Sequence, residues 1–302
     1  MTAVTSTGPP LGARRRALGW ISRHPRLQLL ALLVPPAGWY GIVYFGSLVL
    51  LLVSAFWTLN PDTQQIVHQF SLANFQKMLN EGVYLTIVAR TVAIASIVTV
   101  GDAVIAFPIA YFMARVASPR TRAALTVAVL LPLWASYLVR VYAWRVILSD
   151  NGLVDWVFAR LGIPDVGSLF GISDLSMTIV FIYLWLPYMI LPIFAGLERI
   201  PQSFLEASAD LGGRPGTTFR RIILPLALPA LVAGSIFTFS LTLGDYITPQ
   251  LVSNSQFIGN VIFSELGVAG DIPFAAAFAM VPILIMALYL LVARRLGAFE
   301  AL

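Results

Sequence analysis

Four stretches of this sequence run for more than twenty residues without a charged side chain: Leu27 to Pro61, Leu175 to Leu197, Ile222 to Gly244 and Ile272 to Ala293. A helix of about 20 apolar residues crosses a hydrocarbon core of about 30 Å. Only structures that satisfy their own backbone hydrogen bonds persist in that core. Each stretch therefore predicts a transmembrane helix. Two more blocks, Val83 to Ala114 and Ala123 to Leu148, are built mainly of Val, Ile, Leu and Ala. They also hold Arg90 and Asp102 in the first and Arg140 and Arg145 in the second, and both are read as spans. Composition agrees, since 59% of residues are hydrophobic and 11% charged, against about 25% charged in a soluble domain. The expected fold class is an all-α membrane protein with six transmembrane helices.

Arginine placement gives the direction of these spans, because Lys and Arg are retained on the cytoplasmic side. Alternate connections are basic. The amino terminus has Arg14, Arg15, Arg16, Arg23 and Arg26. The second loop has Arg115, Arg120 and Arg122, the fourth has Arg199, Arg214, Arg220 and Arg221, and the tail has Arg294 and Arg295. The other connections carry Lys77 and Arg160 against Asp62, Glu81, Asp150, Asp155, Asp165, Asp174, Glu265 and Asp271. Both termini are expected in the cytoplasm. The expected division is a basic amino-terminal segment, 1–26, followed by a six-helix transmembrane domain, 27–302. The first apolar block exceeds the h-region of a signal peptide and is read as a retained helix. Prolines Pro108, Pro132, Pro187 and Pro192 fall inside spans and predict kinked, mutually packed helices.

Inventory excludes several chemistries. The sequence has no cysteine, which removes disulfides and thiolate ligands. Its two histidines, His24 and His68, lie outside any metal-ligand spacing, so no metal site and no catalytic residue is expected. The net charge of +5 follows from membrane orientation, and no nucleic-acid partner is inferred. Its single lysine, Lys77, has no GxxxxGK[ST] loop around it, so nothing here cradles a nucleotide phosphate.

The loop 198–221 is patterned more strongly than a tether. Ser203 and Glu206 have capping-box spacing. Phe204, Leu205 and Leu211 form an apolar side, and Gly212 with Gly213 is a helix stop. Arg214, Pro215 and Gly216 read as a turn, with Thr217 or Thr218 as cap of the helix that follows.

Glu206, Ala207 and Ser208, then Gly212, then Ile222, Leu224 and Pro225 match the spacing E-A-A-x3-G-x9-I-x-L-P. In this the chain resembles the permease subunits of ATP-binding-cassette (ABC) importers, whose EAA loop has that form; Ser208 replaces the second alanine. The stretches Leu131–Gly152, Leu186–Pro192 and Leu243–Pro249 are similar to the spermidine/putrescine-type subfamily. The arginine-rich amino terminus resembles its first permease. The resemblance implies the type I ABC importer permease (MetI-like) fold in a bacterial inner membrane. It also implies a second, homologous permease subunit, two ATPase subunits and an extracytoplasmic solute-binding protein. This chain would bind no cofactor, since ATP and Mg are used by the partner ATPase. Glu206, Ala207, Ser208, Gly212, Leu224 and Pro225 would form the coupling site for that ATPase.

Candidates for the translocation pathway are Asp102, Tyr142, Trp144, Asp245 and Tyr246. Asp102 falls mid-span, where a carboxylate faces a cavity or a partner; a structural ion pair is the other reading. Asp245 and Tyr246 end the fifth span as gate or as interfacial cap. Tyr142 and Trp144, with Arg140 and Arg145 as snorkelling cations, also suit a membrane interface. The expected solute is a polyamine. Permeases for amino acids, metal ions or organic anions, and an ion-gradient-driven secondary transporter, are the alternatives.

Overall fold

The computed structural model describes residues 25–163 and 167–297. The expected basic amino-terminal segment therefore lies almost wholly outside the described residues. Two compact units are distinguished, one ending at Ser54 and one beginning at Ala55.

In the first unit, helix α1 spans Leu32–Ser54 and is helical from Pro25 onward. Its turn widens at Tyr40–Phe45. Pro35 and Pro36 remove two donors from its ladder. The large side chains Leu32, Trp39, Ile42 and Leu50 are all exposed, as lipid-facing side chains are.

The second unit opens with a short hairpin, β1 (Thr58–Leu59) against β2 (Ile66–Val67), antiparallel. Asn60 closes its turn by accepting the Asp62 and Thr63 amides on its side-chain oxygen. Helix α2 (Ala73–Asn80) follows, and its buried Asn74 donates to the carbonyls of Ala55 and Trp57 at 3.0 and 2.8 Å. Three long helices then form the core: α3 (Gly82–Val116), α6 (Asp174–Glu198) and α8 (Pro215–Gly244). Between α3 and α6 lies a helix pair, α4 (Pro119–Trp134) and α5 (Tyr137–Arg160), bent by 95°. Helix α7 (Gln202–Asp210) connects α6 to α8. Helices α9 (Ile247–Val252) and α10 (Ile258–Ala269) lead into α11 (Ile272–Arg295).

Among the described residues five helices are long and apolar enough to cross a membrane, and the bent pair taken as one crossing makes six. The expected third span, Ala123 to Leu148, is thus broken rather than continuous. The cause is local: Leu131–Trp134 tightens into a 3-10 turn around Pro132, and Ala135 is extended. A proline and an extended residue in sequence end one helix and let the next start on a new axis.

Glycine and alanine decide how closely the core helices approach. A Cβ on Gly196 of α6 would stand 2.3 Å from the Ala230 Cβ of α8, and one on Gly234 would meet Met189 at 2.9 Å. The cytoplasmic half of the core packs Ala106, Ala110, Met113, Met189, Ile193, Leu197 and Ala227. The other half packs Val98, Val141, Phe181, Leu184 and Trp185, with Ile87, Phe239, Phe274 and Phe278 beside α11. Polar side chains inside the bundle mostly return to their own helices. Thr91, Thr99 and Thr242 each donate to the carbonyl four residues earlier, and the Thr91 oxygen also accepts the Ile258 amide at 3.2 Å.

Candidate functional site: the cytoplasmic loop and the buried polar groups

Helix α7 starts at Gln202, with Pro201 at the N-cap and no side-chain cap. The expected capping box of Ser203 with Glu206 does not form. Pro201 sets the first turn and places Ser203 inside the helix, where its hydroxyl cannot reach the first amides. Nor do Thr217 and Thr218 cap α8. Arg214 takes the N-cap, and Pro215 opens the helix with a ring that needs no donor.

The carboxyl end of α7 follows the expected stop closely. Gly212 has φ +73°, and the Gly213 amide donates to the Ser208 carbonyl at 2.8 Å while the Gly212 amide donates to Ala209 at 2.9 Å. These two bonds form a Schellman motif, which suits a left-handed glycine. Gly213 is also required, because a Cβ there would lie 2.5 Å from the Ser208 Oγ. The Ser208 hydroxyl is 2.7 Å from Thr218 Oγ1. The serine that replaces the motif alanine therefore ties α7 to the first turn of α8.

Glu206 and Ala207 are exposed, and among the described residues Glu206 makes no hydrogen bond. Leu211 is 89% exposed and Phe204 49%. Behind them is a groove of about 650 Å³ lined by Ala207, Ser208, Leu211, Ile222, Pro225 and Leu226, among others. Leu224 is half-buried and Pro225 exposed. The ring of Pro225 removes the donor that the Arg221 carbonyl would receive, and the wide turn Phe219–Ile223 lies at this place.

Two arginines anchor the base of the loop, a role that charge counting missed. Arg115 Nη2 donates to the carbonyls of Leu197 and Ile200 at 2.5 and 2.7 Å. Arg122 donates to Met113 and Ala114 and forms a 2.8 Å ion pair with Glu198. The carbonyls at the ends of α3 and α6 draw these cations.

The pathway candidates separate into different surroundings. Asp102 lies near the middle of the α3 helix, 0% exposed, and neither carboxylate oxygen has a hydrogen-bond partner. Asp245, in contrast, is fully engaged. Its Oδ1 accepts the Ile247 and Thr248 amides at 2.8 and 3.2 Å, and its Oδ2 accepts the Thr248 hydroxyl at 3.0 Å and the Tyr137 hydroxyl. Tyr246 stacks on Phe263 at 4.6 Å, and its carbonyl accepts the Asn260 side-chain amide. Tyr142 is exposed on an apolar face of α5, while Trp144 is half-buried against Tyr183. Arg140 does not snorkel: it is buried, its Nε and Nη1 lack hydrogen-bond partners, and its guanidinium carbon lies 5.9 Å from the Tyr137 ring centroid. Sequence reading also missed Tyr137 and Thr248, which link the start of α5 to the end of α8. Their signal is weak, since each is an ordinary polar residue at a helix start.

Outside the spans, Glu265 sits near Glu81, Asp271 and Lys77. Burial raises its carboxyl above the ordinary glutamate value. The Lys77 charge pulls it down, and the Asp271 and Glu81 carboxylates push it further up. Lys77 itself rests 4.1 Å over the Phe274 ring.

Residues 106–299 match the family of binding-protein-dependent transport system inner membrane components. The chain is 46% identical over 306 residues to the inner membrane ABC transporter permease protein YdcU of Escherichia coli K12, covering 97% of this chain and 96% of that protein. It is 28% identical over 263 residues to the spermidine/putrescine transport system permease protein PotB of the same organism, covering 86% and 94%. Among solved structures it is similar to a chain of a bacterial ABC transporter that imports the acidic polysaccharide alginate. The TM-score is 0.71 at 17% identity, with 93% of this chain and 99% of that chain covered. A bacterial alginate ABC transporter in complex with its alginate pentasaccharide-bound periplasmic protein gives 0.73 at 15% identity, covering 95% and 98%. The chain is therefore a transport subunit rather than an enzyme, a multi-pass protein of the bacterial inner membrane with the MetI-like fold. An exposed, glycine-stopped helix between two membrane spans and a family match across the bundle that carries it lead to one conclusion: this chain belongs to the binding-protein-dependent transport system inner membrane components, the permease subunits of ABC importers.

Proposed function

We propose that this permease forms half of the pathway of a polyamine importer. It would work with a second, homologous permease subunit, two ATPase subunits and an extracytoplasmic solute-binding protein. ATP and Mg belong to the ATPases, and α7 is the helix on which they act. The exposure of α7 carries this reading: Leu211 is 89% exposed beside Glu206, at the edge of the groove described above. Covering apolar surface at about 25 cal/mol per Å² favours a docked partner. Ala207, Ser208 and Gly212 form and stop that helix, and Leu224 and Pro225 set where it rejoins the membrane. The polyamine assignment is supported by the relative named for spermidine and putrescine. A buried carboxylate, Asp102, suits a cation on the pathway, with Tyr142, Trp144, Asp245 and Tyr246 toward its external end.

The test uses the complete importer in lipid vesicles with labelled spermidine. Glu206→Ala is expected to lower uptake by at least about tenfold, equivalent to ~1.4 kcal/mol of lost coupling, with less ATPase co-purifying. Unchanged uptake and unchanged ATPase association would refute docking at α7. Uptake that unlabelled putrescine and spermidine fail to compete would refute the polyamine assignment alone.

A further inference from the structure

Among the described residues the buried charged side chains are two, and they have opposite signs. Asp102 on α3 is 0% exposed and Arg140 on α5 is 9% exposed. Neither Asp102 oxygen has a hydrogen-bond partner, and neither do Arg140 Nε and Nη1. Charges at membrane depth are costly unless paired, and those inside a bundle usually pair with one another or mark a pathway. Each of these is the other's natural complement.

The helices that bear them reach one buried cluster, while the two charges make no contact. Val98 lies one helical turn before Asp102 and Val141 directly follows Arg140, and both valines pack in the same buried cluster with Trp185. Arg140 is held loosely on its present side, since a guanidinium 5.9 Å from a ring centroid is at the outer limit of a cation–π contact. The helix that bears it also has a joint. The break between α4 and α5, at Ala135 and Ser136, has extended backbone and a bend of 95°. Residues at helix ends are where hinges absorb φ/ψ change.

We propose that Asp102 and Arg140 form an ion pair in the alternate-access state, reached by motion of α5 about Ala135–Ser136. Until solute arrives, the guanidinium occupies the carboxylate as a tethered cation, which the ammonium of the solute displaces. The displacement rests on the pathway role of Asp102 stated above. The pairing does not.

A double-mutant cycle tests the pairing in the complete importer, reconstituted in vesicles and assayed for ATP hydrolysis without solute. Asp102→Asn and Arg140→Gln are each expected to shift this rate by about fivefold or more, and D102N/R140Q to return within about twofold of the parent. Effects that multiply in the double variant overturn the pair. If the single variants fail to assemble, the yield of the double variant decides the question instead. Recovery supports the pair, and continued loss overturns it. Solute KM in D102N/R140Q separates the two readings. A KM raised about tenfold or more with restored hydrolysis supports displacement by solute. A parental KM with restored hydrolysis retains the pair and overturns displacement.

Discussion

At Gly212 the backbone turns left-handed, and a Cβ there costs about 1–2 kcal/mol. Gly212→Ala is therefore expected to loosen the end of α7 and weaken ATPase association by about tenfold, measured by pull-down from solubilised membranes. Ser208→Ala offers a contrast. It removes the hydroxyl contact with Thr218 but restores the alanine of the family motif, so the loss is about 1 kcal/mol of loop stability. Uptake is expected to stay within about threefold of the parent, and a larger fall would assign Ser208 a contact beyond this chain. Tyr137→Phe strips one of four donors from the Asp245 carboxylate, a cost of about 1–2 kcal/mol that a thermal melt of the solubilised protein reads.

Among the elements, the joint of α6 with α7 depends on Arg115, which crosses from α3 to the Leu197 and Ile200 carbonyls. Arg115→Ala removes the side-chain donor from both carbonyls, leaving Leu197 only its weak backbone bond from Ile200, and is expected to cost about 2 kcal/mol locally. Faster amide hydrogen exchange confined to residues 197–202 is the expected signature. An unchanged pattern would mean that water replaces the guanidinium at no cost. The elements differ in how far they could be read from sequence. The spans of α6, α8 and α11 were legible because uncharged runs of that length have one stable solution in hydrocarbon. The stop of α7 was legible because paired glycines at that spacing have few other uses. Its start was not, since Pro201 and Ser203 are both reasonable helix openers and only the preceding turn chooses between them. The break at Ala135–Ser136 was hidden for a related reason: Pro132 looks the same in a kinked helix and in one that ends.

On the scale of the whole molecule, the sequence predicts the charge asymmetry between the two faces of the membrane but not which charges meet. Glu81 and Lys77 come from one connection, Glu265 and Asp271 from another, and the four converge beside Tyr84 and Phe274. Because the folded-state value of Glu265 lies above its unfolded one, its protonated form stabilises the fold. That contribution is fully present below the ordinary glutamate value and is lost as pH rises through the raised one. Glu265→Gln is expected to flatten the pH dependence of the melting temperature over that window and to raise stability above it. A pH profile identical to the parent would show that the glutamate is solvated in the assembled importer. Asp102 and Arg140 are the opposite case, legible from sequence as a mid-span carboxylate and a snorkelling arginine, yet with surroundings that only the packed bundle reveals.

The contact of Gly196 with Ala230 also bears on mechanics. Where a single methyl group would already collide at 2.3 Å, α6 and α8 are packed backbone to side chain with no room to move closer. Under the docking proposed above, a push on the loop would be transmitted along α8 rather than absorbed as local strain. With 30 residues at 1.5 Å each, that shaft spans about 45 Å, so the proposed stroke would arrive at the end where Asp245 accepts the Tyr137 hydroxyl.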